Sequence, residues 1–380
     1  MIAIAVIFWV LCIIGFGVLY VFVPTACTFA ALVLSVILPV VSAILTFIGS
    51  RQLIASMTVP DSISKNTPTT LKVSVSNNSF FSLLRIKIAV RVENRLTGEV
   101  IQLMPSVSAG AHKSRTVELT FQSEHCGAMY VGIQDLKVTD AFGIFRFSAP
   151  ANVQREAMVV PDLFDINVLY PQASSNSMES EEYSKIKPGY DYADVFQIRD
   201  YAEGDSPKQI HWKLSGKFDK LIAKDPGLPV ERAVTVLWER GYSEETPRQS
   251  DAMEEILISL CKALLKMEIG CRILWNEAET ELCADETVTC EDELYDVLPK
   301  LMSARKSDSS AVERILAIYG PNSFDKVIYL GISAEEALNE ICPPARVTAL
   351  SFREPEAEVE RIYQVNEGNY AEALFEIDLN

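Results

Sequence analysis

The residues with the best claim to chemistry crowd into one stretch of this 380-residue chain, RDYAEGDSPKQIHWKLSGKFDKLIAKD, from Arg199 to Asp225. The chain carries a formal net charge of −17, yet Asp205 to Lys224 holds five lysines against two aspartates. Trp212 and His211, one of three histidines, sit in the middle. Asp205 and His211 would suit a hydrolase, because a histidine oriented by a carboxylate moves protons near neutral pH. They stand six residues apart, however, and no serine or cysteine in a nucleophile motif lies beside them. Ser215-Gly216-Lys217 has the residue types of a phosphate-cradling loop but not its glycine-rich spacing. Structure or docking is the better reading. Trp212 offers a large apolar area with one donor, which suits an anchor.

The local pattern predicts how these residues are carried. Gly204-Asp205-Ser206-Pro207 reads as a helix start, with Asp205 or Ser206 capping and Pro207 at the first helical position. Ile210 and Leu214 then share one face, while Lys208, His211 and Ser215 lie on another side. Gly216 would close the helix, and Lys220 to Lys224 reads as a strand leaving it. A second pair, His125-Cys126, has the types for nucleophilic catalysis, but neighbours on a strand point to opposite faces. The eight cysteines include no C-x-x-C pair, so no zinc site is expected and buried free thiols are. A Cys283–Cys290 disulfide would require an oxidising compartment.

The first 50 residues contain no Asp, Glu, Lys or Arg. Two apolar runs, Ile2 to Val23 and Thr28 to Ile48, flank a turn at Val23-Pro24-Thr25-Ala26. Each meets the length of about 20 residues that a membrane-crossing helix needs. They read as a transmembrane hairpin rather than a signal peptide, which would want a positive n-region and a cleavage site. Both ends of a hairpin share one side. The basic residues that follow, from Arg51 on, place the remainder in the cytoplasm. Residues 51–165 alternate apolar and polar residues over short runs such as Thr70–Ser76 and Leu84–Val92, which predicts an antiparallel β-sandwich. Ser174–Gly189 reads as a polar linker, within a linker-and-signature segment spanning 166–230. Residues 231–380 alternate strands with helices, notably Ala252–Met267, Glu291–Met302, Ala311–Tyr319 and Ala334–Glu340. That predicts an α/β domain with a largely parallel sheet. The fold class is thus α+β, multidomain and membrane-attached. The acidic balance excludes a general nucleic-acid binder and argues against an anionic-lipid binder.

The stretch around Trp212 resembles the signature of the DUF58 (domain of unknown function 58) family, Arg-x-Tyr-x-x-Gly-Asp-x-x-(basic)-x-Ile-x-Trp. Arg199, Tyr201, Gly204, Asp205, Lys208, Ile210 and Trp212 match it, and His211 and Lys213 lie inside or beside the run. Cys126-Gly-Ala-Met-Tyr and Asp140-Ala-Phe-Gly-Ile-Phe are similar to the family's Arg-Gly-x-Tyr and Asp-Pro-Phe-Gly-Leu-Phe elements, with Cys126 for Arg, Ala141 for Pro and one extra residue before Tyr130. The resemblance implies an Ig-like sandwich and a von Willebrand factor A-like C-terminal domain. It also implies a non-enzymatic adaptor that works with a MoxR-type AAA+ ATPase and neighbours a transglutaminase-like membrane protein. The metal site of von Willebrand A domains takes Asp-x-Ser-x-Ser after the first strand. Here that strand ends Leu237-Trp238-Glu239-Arg240, and only Ser309 and Ser310 stand near the next ligand position. No metal or cofactor is therefore expected, and the hydrolase and an extracytoplasmic ligand-binding anchor stand as alternatives.

Overall fold

The computed structural model describes residues 2–170, 183–200, 215, 221–229, 234–241, 244–278, 283–324 and 326–379, with backbone alone at 2, 183–200 and 224–229. The architecture is mixed α+β: two N-terminal apolar helices followed by several sheets. Contacts divide the chain into two compact units. One comprises Met1–Asp162, Thr246–Glu254 and Pro299–Lys306; the other comprises Leu163–Glu245, Glu255–Leu298 and Ser307–Asn380.

In the first unit, α1 (Ile2–Phe22) and α2 (Ala26–Ser50) are apolar along their whole length, and both are long and apolar enough to cross a membrane. Thr25 caps α2 reciprocally: its hydroxyl accepts the Thr28 amide, and Thr28 returns the bond to the Thr25 amide. Two residues beyond α2 the chain enters β1 (Leu53–Thr58). Strand β2 (Ser62–Ser64) is followed by β3 (Thr69–Asn77), β4 (Leu83–Asn94), β5 (Val100–Leu103), β6 (Ser106–Ala109), β7 (Lys113–Phe121), β8 (Gly127–Thr139), β9 (Arg146–Ala149) and β10 (Val153–Val160). One sheet has the order β1-β3-β7; the other runs β2-β10-β8-β4-β5, with β6 on β4 and β9 on β8. The period-2 pattern puts Leu71, Val73 and Val75 of β3 into the same core as Ile86, Ile88 and Val90 of β4. The pairing is antiparallel as expected except for β2, which runs parallel to β10.

The second unit centres on a six-stranded sheet of β14 (Val234–Trp238), β15 (Cys271–Asn276), β16 (Cys283–Val288), β17 (Val327–Gly331), β18 (Val347–Ser351) and β19 (Arg361–Gln364), ordered β16-β15-β14-β17-β18-β19. All neighbours are parallel except β15 and β16. Every residue of β14, β17 and β18 is buried, which is why those strands read as mainly apolar runs without period-2 alternation. Smaller pairings join β11 (Asn167–Leu169) to β20 (Glu376–Asp378) and β12 (Tyr183–Asp200) to β13 (Ile222–Pro229). The main helices that follow β13 are α3 (Pro247–Lys266), of which the part up to Glu254 belongs to the first unit, α4 (Glu291–Met302), of which the part from Pro299 does, and α5 (Ala311–Tyr319).

Several sequence expectations need correction. The expected linker Ser174–Gly189 is only partly described, and its residues 183–189 begin β12. The helix expected over Ala334–Glu340 shrinks to Leu338–Ile341. The Ala334 carbonyl, which would have opened it, accepts the amides of Glu356 and Ala357 instead. His125 and Cys126 lie in the turn before β8 and not on a strand, and both are buried. All eight cysteines are free, as expected, but four of them, Cys12, Cys27, Cys283 and Cys290, are not buried.

Gly127 holds a position that a side chain could not share. Its φ is +134°, and a Cβ there would come 2.3 Å from Asn94 Oδ1. That oxygen accepts the Leu96 and Thr97 amides while the Asn94 amide donates to the Cys126 carbonyl. Gly127→Ala is expected to destabilise the protein by about 1–3 kcal/mol. Thermal unfolding of the detergent-solubilised chain checks this, with Gly98→Ala, also at positive φ but in open space, costing less.

Candidate functional site

Of the signature residues, Arg199 lies on β12 opposite Ala223. Tyr201, Gly204, Asp205, Lys208, Ile210, His211, Trp212 and Lys213 lie outside the described residues, as does the Asp205/His211 pair. Ser215 is described between residues that are not, and it is helical. Its buried hydroxyl accepts the Ile222 amide at 2.9 Å, at the start of β13.

A site is built instead at the carboxyl edge of the six-stranded sheet. Chain order reverses there between β14 and β17, and crevices of open α/β sheets form at such points. Glu239 follows the last residue of β14, is 5% exposed, and aims its carboxylate into that edge. Oε1 accepts the Ser310 hydroxyl at 3.0 Å and the Ala311 amide at 2.9 Å; Oε2 accepts the Tyr329 phenol at 2.7 Å. Ser310 also caps α5, whose N-terminal amides favour a carboxylate. The Tyr329 oxygen lies 2.7 Å from the Ser333 carbonyl as well, so its single proton serves one acceptor at a time. Gly331 leaves room for this ring: a Cβ there would fall 2.4 Å from the Tyr329 oxygen.

Beside this cluster, Asn276 at the end of β15 donates to Ser307 Oγ at 2.8 Å and to Ser309 Oγ at 2.8 Å. Arg314 reaches Ser309 Oγ at 2.9 Å. Asn276 Oδ1 is buried without a hydrogen-bond partner among the described residues.

Burial, then the charge of Glu239 and its hydrogen bond, hold the Tyr329 phenol well above its ordinary pKa of 10.0. Burial and the neighbouring Glu239 and Glu313 raise the Glu335 carboxyl. These groups form a closed hydrogen-bond network more than an open acid–base pair, because both Glu239 oxygens are engaged by the chain's own donors. Mg²⁺ wants carboxylates with free lone pairs. Among the described residues, no three His, Cys, Asp or Glu side chains gather as a metal group. Sequence reading missed Glu239 and Tyr329. The available signal was an acidic residue directly after a run, Val234–Trp238, in which only Thr235 is polar.

The His125-Cys126 pair has a different partner from the one its residue types suggest. Asp251 Oδ1 accepts the Cys126 amide at 2.6 Å, and Oδ2 takes Lys65 Nζ at 2.7 Å with His125 Nδ1 3.6 Å away. The thiol lies 3.9 Å from the Asp251 carbonyl, so the cluster is a structural tie within the first unit.

No family model and no curated protein matches the sequence. Solved structures align over parts of the chain at low similarity. A CARDB domain from Pyrococcus furiosus is 16% identical, covering 28% of this chain and 87% of that one at a TM-score of 0.22. A cohesin module of a Clostridium perfringens glycoside hydrolase is 10% identical, covering 29% and 97% at 0.24. A Listeria innocua beta-glucosidase is 13% identical, covering 28% and 16% at 0.21.

Tyr329→Phe is expected to cost about 1–3 kcal/mol, since Glu239 stays buried with one donor fewer. The wild-type phenol has a folded pKa above its unfolded value of 10.0. Its contribution is thus complete below pH 10 and is lost as pH rises toward the folded value. Unfolding followed from neutral to alkaline pH should show a shallower alkaline loss in the variant.

Proposed function

We propose that this protein is a membrane-anchored, non-enzymatic adaptor of the DUF58 type. Its Ig-like sandwich and degenerate von Willebrand A-like domain stand in the cytoplasm and serve a MoxR-type AAA+ ATPase in assembling or regulating envelope-associated complexes, with a transglutaminase-like membrane protein as a further partner. The observation that carries the anchor is the pair of charge-free helices that passes into the sandwich within two residues. The basic residues after α2 support the cytoplasmic side. The adaptor role draws support from the sheet-edge network, where the chain's own hydroxyls fill the crevice that other α/β folds give to a ligand. The signature residues from Arg199 to Lys213 serve as the docking surface, with Trp212 as its anchor.

The test is affinity capture of the full-length chain from detergent-solubilised membranes. Wild type should retain an AAA+ ATPase, and Trp212→Ala should lose it while melting as wild type does. A variant that loses stability by about 3–5 kcal/mol would mark Trp212 as core instead. Recovery of the unaltered chain from the aqueous fraction of broken cells, without detergent, would overturn the anchor. In a separate calorimetric titration, Mg²⁺ and Mn²⁺ are expected to give no stoichiometric heat; tight binding would restore a metal role to the sheet edge.

A further inference from the structure

The end of the sandwich from which α2 arrives is unlike the rest of this acidic chain. Residues 50–55, 76–88, 109–116 and 139–147 form that end. They contain Arg51, Arg85, Lys87, Lys113, Arg115 and Arg146 against one acid, Asp140. Asp140 is fully buried and spent locally: its carboxylate accepts the Phe142 amide at 3.2 Å and the Phe145 amide at 2.7 Å. All six cations are exposed, and none pairs with a described carboxylate.

The same end holds aromatic side chains out on braced loops. Asn77, 1% exposed, donates to the carbonyls of Phe81, Ala109 and Gly110 and accepts the Ser79 amide and hydroxyl. That brace pins two loops together and leaves Phe80 80% exposed over His112. The Asp140 turn, closed by Gly143 at φ +76°, likewise leaves Phe145 42% exposed. Large apolar side chains held in water by buried hydrogen-bonded braces mark an interaction surface.

The occupant follows from continuity with the helices. Phe142 packs edge-on against Trp9 of α1 at 4.8 Å, Phe147 against Phe47 of α2 at 5.6 Å, and the Ala141 amide donates to Ser42 at 3.3 Å. The 25 residues of α2 extend about 37 Å at 1.5 Å per residue, against about 30 Å of hydrocarbon. About 7 Å of it, its last turn, therefore reaches headgroup depth beside Phe47 and Phe147, while the turn at Ala141 and Phe142 meets the helices further in, at Ser42 and Trp9. Aromatic rings beside unpaired cations suit that zone of a bilayer.

We infer that this foot of the sandwich is itself a membrane-binding surface, seating Phe80 and Phe145 at the headgroup boundary and its six cations on anionic phospholipid. The inference rests on the hairpin reading above. It also qualifies the argument from net charge: an acidic total hides a basic end where the membrane would lie.

The full-length chain, carrying the photoreactive p-benzoylphenylalanine at position 80, 145, 14 or 72, is placed in nanodiscs of phosphatidylcholine mixed with phosphatidylglycerol and irradiated. Mass spectrometry then reads the adducts. Lipid adducts are expected at 80 and 145 as well as at 14, within α1, and not at 72 on the outer face of β3. Adducts at 14 with none at 80 and 145, or with only protein adducts there, would overturn the foot and leave the hairpin standing. A missing adduct at 14 would overturn the hairpin and this proposal with it. In discs of phosphatidylcholine alone, adducts at 80 and 145 should fall while those at 14 hold; unchanged yields would overturn the preference for anionic lipid.

Discussion

The first unit depends on one close approach. Gly49, in the last turn of α2, lets the Leu83 side chain and the Ser79 hydroxyl close onto the helix; a Cβ there would stand 3.0 Å from Leu83 and 3.2 Å from Ser79. Because that turn lies flat on the 79–83 loop, the chain can enter β1 within two residues, and the Asn78 amide reaches the Gln52 carbonyl. The apolar helices and the sandwich are joined by packing as well as by a peptide. Everything at that end inherits its position from this contact: the Asn77 brace, the exposed Phe80 and the Asp140 turn against α1.

The second unit solves another problem. A parallel sheet leaves a crevice where its strand order reverses, and a carboxylate buried there must be satisfied. Glu239 is satisfied by a serine that caps a helix, by a backbone amide and by a tyrosine whose ring fits because residue 331 has no side chain. Each partner comes from a different stretch of sequence, so the network fastens β14, α5 and β17 to one another.

Much of the fold was legible in the sequence. The charge-free opening, the period-2 runs of the sandwich and the apolar strands alternating with amphipathic helices each carry their own physical signature, and helices such as Glu291–Met302 and Ala311–Tyr319 fall where periodicity put them. The failures were local. Ala334–Glu340 has helical residues, but its opening carbonyl is claimed by a segment some 20 residues downstream. His125-Cys126, read as strand neighbours, lie in a turn, where Asp251, 125 residues beyond Cys126, takes the backbone amide.

What the sequence by itself determined is whatever depends on neighbours along the chain: two helices too apolar for water, strand alternation, and the turn chemistry at Asp140-Ala-Phe-Gly. What only the tertiary structure decided is which distant groups share a site. In the sequence Glu239 is one acid after a strand, and the six cations are scattered from Arg51 to Arg146. Sheet register and strand order bury the first among hydroxyls and gather the others at one end, because contacts across a fold are fixed by packing and topology that no local pattern encodes.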